Sequence, residues 1–184
     1  MKKVKGSMVI MVVKSIKVNP SKRGRYNQML SNKAIELLNQ RILTASWYPY
    51  ETYRECLDAL CLIEGGNNPT TLFEWGIDEA KRWLSTLYQS TVFRGDIQLA
   101  VEKYTRLHRK LYNFGEIVAN FISDTEVEFT YEDFPRDWAN FFHMAIGWAK
   151  TYVELCFDKE VKYSFSNKSW VNRGWTKVRV SWTP

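Results

Sequence analysis

The chain has 184 residues, 45% of them hydrophobic and 15% aromatic, and a net charge of +6. This composition supports one domain with a substantial core, spanning residues 1–184, and we find no internal repeat, low-complexity tract or linker. No stretch approaches the ~18 consecutive apolar residues of a membrane span. The apolar run after the basic start, Met8–Val13, is too short for a secretion signal, so we expect a soluble, cytoplasmic protein.

The basic residues are concentrated near the two ends of the chain. Residues 1–35 contain nine Lys and Arg and no acid, and Lys159–Arg179 contains six basic residues against Glu160 alone. If both segments belong to one sheet, its surface is positive and suits nucleic acid, acidic lipid or an acidic protein face. The alternative is a solvated sheet edge whose lysines discourage aggregation.

The first half of the chain predicts a strand and two helices. Met8–Val18 is apolar and β-branched over much of its length, which predicts a buried strand, and a helix is expected over about 26–40. After an irregular link at 41–48, Pro49 predicts a helix start, because proline suits the first helical position. That helix is expected to end at Gly65. Its apolar face comprises Tyr50, Tyr53, Leu57 and Leu60.

Two further helices are predicted in the middle of the chain. The first is capped by Thr70 or Thr71, and Gly76 inside it predicts a close packing contact, because glycine otherwise lowers helix propensity by about 1 kcal/mol. Its buried stripe comprises Phe73, Ile77, Ala80, Leu84 and Leu87. The second is capped by Asp96 and stops before Gly115.

The remaining chain predicts two hairpins around one central helix. Glu116–Ile122 and Glu126–Tyr131 form the first hairpin, with one face exposed to water. Pro135 opens a helix that is apolar nearly all round, and Val161–Phe165 pairs with Thr176–Trp182. The predicted fold is therefore α+β, a mostly antiparallel sheet (N-terminal strand plus two hairpins) packed with about five helices.

No recognisable catalytic or metal-binding pattern occurs in the chain. The two histidines, His108 and His143, have no second His or Cys at ligand spacing, so each is expected to have a packing or hydrogen-bonding role. The carboxylates Glu126 and Glu128 fall on the wet face of a hairpin, where a solvated role is favoured over a catalytic pair. We therefore expect no enzyme, no metal and no cofactor. The three cysteines are expected to be reduced core residues, namely Cys56, Cys61 and Cys156.

Basic and aromatic residues alternate in the last hairpin. Such interleaving suits a single-strand nucleic-acid platform, but an amphipathic hairpin shows the same pattern, so nucleic acid is the weaker alternative. The interleaved residues are Lys168, Trp170, Arg173, Trp175, Lys177 and Arg179.

Several motifs together resemble a bacterial family of about this length, best known from myxobacterial genomes. They are VKGSMV, SWYP, WGIDEAKRWL, KLYNFG, GWAKTYVELC and a final strand ending in SW. That family is similar to the ligand-binding domains of 4-vinyl reductase-like proteins, haem nitric-oxide-binding sensors and TRAPP tethering subunits. The resemblance implies an α+β fold, often dimeric, whose interior in some relatives holds an apolar or planar ligand.

Two departures from these relatives bear on the ligand. The haem-binding relatives carry a Tyr-x-Ser-x-Arg motif for the haem carboxylates, whereas the nearest segment here, Tyr163–Asn167, lacks the arginine. The vinyl reductase-like domains often have cysteines in the last hairpin, and Tyr163–Trp182 has none. The resemblance therefore supports neither haem nor a thiol site there.

The leading hypothesis is a non-enzymatic, sensor-like domain that binds a small apolar or planar molecule and acts through a protein partner. The ligand is expected between the Pro49 helix, the 70–90 helix and the 135–157 helix, where aromatic residues are dense. The pocket candidates are Trp47, Tyr50, Tyr53, Trp75, Phe142 and Trp148. The alternative is a homodimeric tethering or adaptor module with a filled core.

Overall fold

The computed structural model describes residues 1–183 and confirms the α+β class. Over these residues it contains seven α-helices, a two-stranded sheet and a four-stranded sheet. The chain falls into two compact units. The N-terminal unit comprises Met1–Thr71 and Lys110–Asn113, and the C-terminal unit comprises Leu72–Arg109 and the residues from Phe114 onward.

The N-terminal unit is mainly helical. Its small antiparallel sheet pairs Val4 with Tyr48, and Tyr112 bridges to Val4. The elements are β1 (Lys3–Lys5), α1 (Gly6–Lys17), α2 (Arg23–Met29), α3 (Asn32–Asn39), β2 (Trp47–Pro49), α4 (Tyr50–Gly65) and the first residues of α5 (Pro69–Leu84).

The strand predicted over Met8–Val18 is wrong, because this segment forms most of helix α1. A short apolar run fits a buried helix as well as a buried strand, and here burial on almost every side overrides the β preference of valine and isoleucine. Gly6 opens the helix at a point where a Cβ atom would lie 1.9 Å from the carbonyl oxygen of Leu43. The buried residues of α1 include Met8, Val9, Met11, Val12, Val13 and Ile16.

The single helix predicted over 26–40 is interrupted at Ser31. The Ser31 hydroxyl accepts a hydrogen bond from the backbone N–H of Ala34 at 3.3 Å and so caps α3. The same hydroxyl donates to Glu55 at 2.7 Å, and the Ser31 N–H also donates to this carboxylate. A side chain on α4 thus fixes the break between α2 and α3.

The helix predicted at Pro49 exists, with a small shift in its start. Its first helical residue is Tyr50, and Pro49 occupies the position just before it. The predicted end is confirmed, because Gly66 adopts φ 60° in the left-handed region and closes α4 after Gly65.

The C-terminal unit packs helices with a four-stranded antiparallel sheet in the order β3-β4-β6-β5. Both predicted hairpins are confirmed, but the N-terminal strand does not join them, because β1 pairs with β2 alone among the described strands. The two basic ends of the chain therefore do not share a sheet. The elements are α5 from Leu72, α6 (Ile97–Leu111) up to Arg109, β3 (Glu116–Ser123), β4 (Glu126–Glu132), α7 (Ala139–Phe157), β5 (Val161–Asn167) and β6 (Thr176–Trp182).

Helices α5 and α7 are in direct backbone contact at two glycines. A Cβ atom at Gly76 would lie 2.4 Å from the carbonyl oxygen of Met144, and one at Gly147 would lie 2.3 Å from the carbonyl oxygen of Phe73. Real Cβ atoms do not approach oxygen so closely, so both positions require glycine. The close contact predicted at Gly76 is confirmed.

Three predicted helix bounds need correction. Helix α5 begins at Pro69, with the side chain of Asn68 accepting from the Thr70 N–H at 3.1 Å, so Thr70 lies inside the helix. It ends at Leu84, and Leu87 is exposed. Helix α7 begins at Ala139, because the residues from Pro135 form a turn first. No helix among residues 1–183 has the length and apolar character needed to cross a membrane.

Candidate functional site

Helix α7 is the most deeply buried helix of the C-terminal unit. Gly147 faces α5, and Thr151 follows it by four residues, so both lie along the same side of α7. Trp148 precedes Thr151 by three residues and is therefore its neighbour on the helix surface. The side chains of Trp148 and Thr151 are 5% and 1% exposed.

Trp148 and Thr151 each bury a polar atom that has no hydrogen-bond partner within the described residues. These atoms are the indole Nε1 of Trp148 and the hydroxyl oxygen of Thr151. Leaving such a group unsatisfied costs about 1–3 kcal/mol, so native proteins rarely do so. The hydroxyl of Tyr131 is a third such atom in this unit, whereas Tyr152 donates to the carbonyl of Thr91 at 2.6 Å. The Trp148–Thr151 pair therefore offers two donors to an acceptor on a bound molecule.

Three of the six predicted pocket residues belong to the C-terminal unit. Trp75 is half-buried on α5. Phe142 is buried, and its ring stacks on Trp170 with centroids 5.5 Å apart. Phe142 and Trp148 are six residues apart on α7, which places them on different sides of the helix. Of the two, Trp148 combines burial with an unpartnered polar atom.

The other three predicted residues belong to the N-terminal unit. Trp47 is 39% exposed on β2, and the Lys5 ammonium lies 4.6 Å from the centre of its ring. Tyr50 is buried, and its hydroxyl accepts from Arg54 at 3.1 Å. Tyr53 is completely buried, and burial raises the pKa of its phenol well above the usual range. The structure thus places these three side chains within one turn of the α4 start.

The aromatic residues of the last hairpin are covered by the protein's own groups. Trp170 stacks on Phe142 and meets the edge of Phe165 at 5.2 Å. The guanidinium of Arg136 lies 4.2 Å from the centre of the Trp175 ring. These contacts occupy part of each ring and reduce the area left for base stacking.

The outer face of the sheet carries an ion-pair network around Glu128. Glu128 is only 9% exposed, so its predicted place on a solvated face is wrong. Lys177 and Arg179 lie 3.4 and 3.2 Å from its carboxylate, and Ser166 donates to it at 2.8 Å. Burial alone raises the pKa of Glu128, but the bonds from Ser166, Arg179 and Lys177 outweigh it and bring this pKa below its usual value.

Both histidines have the packing or hydrogen-bonding roles that the sequence predicts. His108 Nε2 donates to the carbonyl of Phe114 at 3.1 Å, and the ring packs on Phe134 with centroids 4.9 Å apart. Burial lowers the pKa of His108 to about 4. His143 packs against Phe165 and Trp170, at 5.2 and 5.8 Å between ring centres.

The fold of the chain is similar to that of H-NOX domains in solved structures. No protein-family model matches the chain, and no curated protein matches its sequence. Solved structures match instead. The Fe(II) unliganded H-NOX protein from K. algicida gives a TM-score of 0.71 at 9% identity, covering 98% of this chain and 97% of that chain.

Two further solved structures give the same result. An oxygen-binding H-NOX domain related to soluble guanylate cyclases has a TM-score of 0.63 at 13% identity, over 98% of this chain and 95% of that chain. A structure from work on haem redox potential and porphyrin distortion has a TM-score of 0.64 at 13% identity, over 96% of this chain and 99% of that chain. At these identities the likeness establishes the fold.

The haem named for one of these structures prompts a test of the donors in this chain. Haem iron takes an axial ligand from His, Cys, Met or Tyr. In the C-terminal unit His108 is bonded to Phe114, and His143 is enclosed by aromatic rings. Burial raises the pKa values of Cys156 and Tyr152, which keeps both groups neutral. Among residues 1–183 no three His, Cys, Asp or Glu side chains group as a metal site. In these contacts neither histidine offers haem iron an axial ligand.

The expected state of the cysteines is confirmed. Cys56, Cys61 and Cys156 are buried free thiols. Burial raises the pKa of Cys56 to about 12, so its thiol stays protonated at neutral pH. The sequence could not reveal that Trp148 and Thr151 each bury a polar atom without a partner, because a threonine among apolar residues looks like any other core position.

Proposed function

We propose that this protein is a non-enzymatic, sensor-like domain that binds a small apolar or planar molecule and acts through a protein partner. The fold supports this proposal, because one structure that shares it is described as an oxygen-binding H-NOX domain. We also propose that the protein is related to the myxobacterial family and to the 4-vinyl reductase-like domains. The ligand differs from haem, since the histidines, Cys156 and Tyr152 do not provide an axial donor.

One observation carries the proposal, namely the two buried and unpartnered polar atoms of Trp148 and Thr151. The indole N–H can only donate, and the hydroxyl can donate or accept. A ligand that satisfies both needs an acceptor, such as a carbonyl oxygen or a ring nitrogen, on an otherwise apolar body. Ligand sites of this kind are mostly apolar with a few polar groups that fix orientation.

The remaining aromatic candidates are proposed to contribute apolar surface rather than polar contacts. Trp75 is half-buried on α5. Phe142 is committed to Trp170 and is expected to support the site indirectly. Trp47, Tyr50 and Tyr53 stay candidates in the N-terminal unit.

The first experiment asks whether a ligand accompanies the protein. The protein is purified without denaturation and analysed by native mass spectrometry and by ultraviolet-visible absorption. The expected result is a bound mass that is lost on denaturation, without a haem Soret band. A chain that carries no ligand and binds neither probe described below contradicts the proposal.

The second experiment tests the donor pair with two planar probes. Anthraquinone-2-sulfonate has carbonyl acceptors and anthracene-2-sulfonate lacks them, so the sulfonate and the ring area are common to both. Quenching of tryptophan fluorescence should give tighter binding of the quinone, and Trp148→Phe together with Thr151→Val should weaken it about tenfold or more, the loss of one to two hydrogen bonds.

A matched control separates the donor effect from the loss of a tryptophan. Trp83 on α5 donates its Nε1 to Glu79 at 3.0 Å, so its polar atom is already satisfied. Trp83→Phe should leave quinone binding unchanged. Equal weakening by Trp83→Phe and by Trp148→Phe, or equal affinity for the two probes, contradicts the assigned site.

A further inference from the structure

Strand β3 is an edge of the four-stranded sheet. Among the described strands β4 is its one partner, and the antiparallel register runs from Glu116 opposite Glu132 to Phe121 opposite Val127. Every second N–H and C=O along β3 therefore points away from the sheet. Such an edge is a template for pairing with another strand.

This edge lacks the usual protection against pairing. Natural edge strands carry Lys, Pro or inward charges, but β3 contains none of these, and its one charged residue is Glu116. Glu116 is already paired with Arg109. The opposite edge strand, β5, carries an exposed lysine at Lys162. A register irregularity between Phe121 and Ser123 limits the regular edge to the residues before it.

Apolar surface accompanies the unpaired edge. Phe121 and Ile122 are 40% and 51% exposed. Phe121 lies opposite the fully buried Val127, so it belongs to the row of side chains on the core face and is exposed because the sheet ends there. Beside it is a groove of about 350 Å³ lined by Ile97, Gln98, Phe121, Ile122, Ser123 and Asp124.

We propose that the occupant of this edge is a second copy of the chain, which pairs its own β3 antiparallel to form a continuous eight-stranded sheet. This inference is independent of the ligand proposed above. A two-fold axis perpendicular to the sheet keeps each side chain on its own face, so one residue must lie opposite its own copy. The register then has to be centred on a residue such as Ala119 or Asn120.

Apolar complementarity selects Ala119 as the centre. A pairing centred on Asn120 puts Ile117 opposite Ser123 of the partner subunit, beyond the register irregularity, and Phe121 opposite the partner's Ala119. A pairing centred on Ala119 stays within the regular edge and puts Ile117 opposite the partner's Phe121. The apolar row of the core face then continues across the interface, and the exposed ring of Phe121 is covered.

Sedimentation velocity tests the interface directly. The wild-type chain should form a concentration-dependent dimer, and Phe121→Lys should raise the dimer dissociation constant about tenfold or more, because a lysine blocks an edge. Ser164→Lys is the matched control, since it puts a lysine at an exposed position on the other edge strand, β5. It should leave the dimer unchanged.

A cross-linking variant keeps the proposal falsifiable if Phe121→Lys disturbs folding. Ala119→Cys places two thiols across the proposed two-fold axis, and mild oxidation should give a covalent dimer on a non-reducing gel. Wild-type protein is the control for its three buried thiols. A wild-type chain that stays monomeric at all concentrations overturns the proposal. A dimer that gives no covalent band with Ala119→Cys and is not weakened by Phe121→Lys forms through another surface, and this result also overturns the proposal.

Discussion

Two buried threonines in the C-terminal unit differ in whether the hydroxyl has a hydrogen-bond partner. Thr151 is 1% exposed and its hydroxyl has no partner, whereas Thr176 is fully buried and its hydroxyl lies 2.6 Å from that of Ser169. Replacing an unpartnered group by an apolar one of the same shape is neutral or stabilising, but replacing a bonded group leaves its partner unsatisfied. The two positions therefore form a matched pair.

Thr151→Val should leave the free energy of unfolding of ligand-free protein unchanged or raise it by up to about 1 kcal/mol, whereas Thr176→Val should lower it by about 1–2 kcal/mol. Urea unfolding followed by circular dichroism measures both. If Thr151→Val destabilises as much as Thr176→Val, the Thr151 hydroxyl is satisfied and the proposed ligand loses one of its two anchors.

His108 makes stability depend on pH in a defined window. Burial lowers its pKa from the ordinary 6.5 to about 4, although the carbonyls of Phe114 and Gly115 oppose this shift. Between these values the unfolded chain binds a proton that the folded chain does not. Stability is therefore complete above the ordinary pKa and falls as the pH falls toward about 4.

The wild-type chain should lose about 2 kcal/mol of stability through His108 between pH 7 and pH 5, and His108→Gln should lose correspondingly less. Glutamine keeps an N–H that can reach the carbonyl of Phe114. His143, whose pKa burial also lowers, remains in both proteins and cancels in the comparison. The pKa of Glu128 lies below its usual value, so this carboxylate takes up its proton at a pH below the range from 7 to 5. Identical pH slopes in the two proteins would refute the assignment.

At the scale of helices and strands, Gly→Ala substitutions at the contact between α5 and α7 are expected to destabilise the protein, although helix propensity alone predicts that they stabilise it. Gly→Ala in an open helix stabilises by about 0.5–1 kcal/mol. At Gly76 and Gly147 the added carbon would meet the carbonyl oxygens of Met144 and Phe73, which are backbone atoms that cannot rotate away. We expect Gly76→Ala and Gly147→Ala each to destabilise by about 2 kcal/mol or more.

Gly24 is the control for this test. It lies in α2, and a Cβ atom there would have nothing within 4 Å. Gly24→Ala should raise the thermal midpoint slightly, while the other two substitutions lower it. If all three substitutions shift the midpoint in the same direction, the contact between α5 and α7 is looser than the structure indicates.

The same elements show what local patterns can and cannot predict. The hairpin residues alternate strictly, as in Val127, Phe129 and Tyr131, and this period of two belongs to strands alone. The run at Met8 has no period, so it predicts burial without choosing between helix and strand. The break at Ser31 depends on Glu55, a residue 24 positions away, and no local pattern reports such a contact.

At the scale of the molecule, the fold class was predictable but the strand order was not. Two hairpins and several amphipathic helices suffice for α+β, whereas the central place of β6 depends on pairings with both β4 and β5. The candidate site shows the same division. Trp148 could be predicted from aromatic density, but Thr151 required knowledge of what surrounds each buried polar atom.

The contacts of His108 and His143 predict that the protein will not bind haem through an axial histidine. Hemin titrated into the purified protein should give no saturable one-to-one complex with an axially ligated spectrum, because His108 is bonded to Phe114 and His143 is held between Phe165 and Trp170. The protein from the work on haem redox potential and porphyrin distortion is the positive control. A stoichiometric complex whose spectrum is lost in His108→Ala or His143→Ala would show that one of these imidazoles can leave its present contacts, and the ligand class would then have to be revised toward haem.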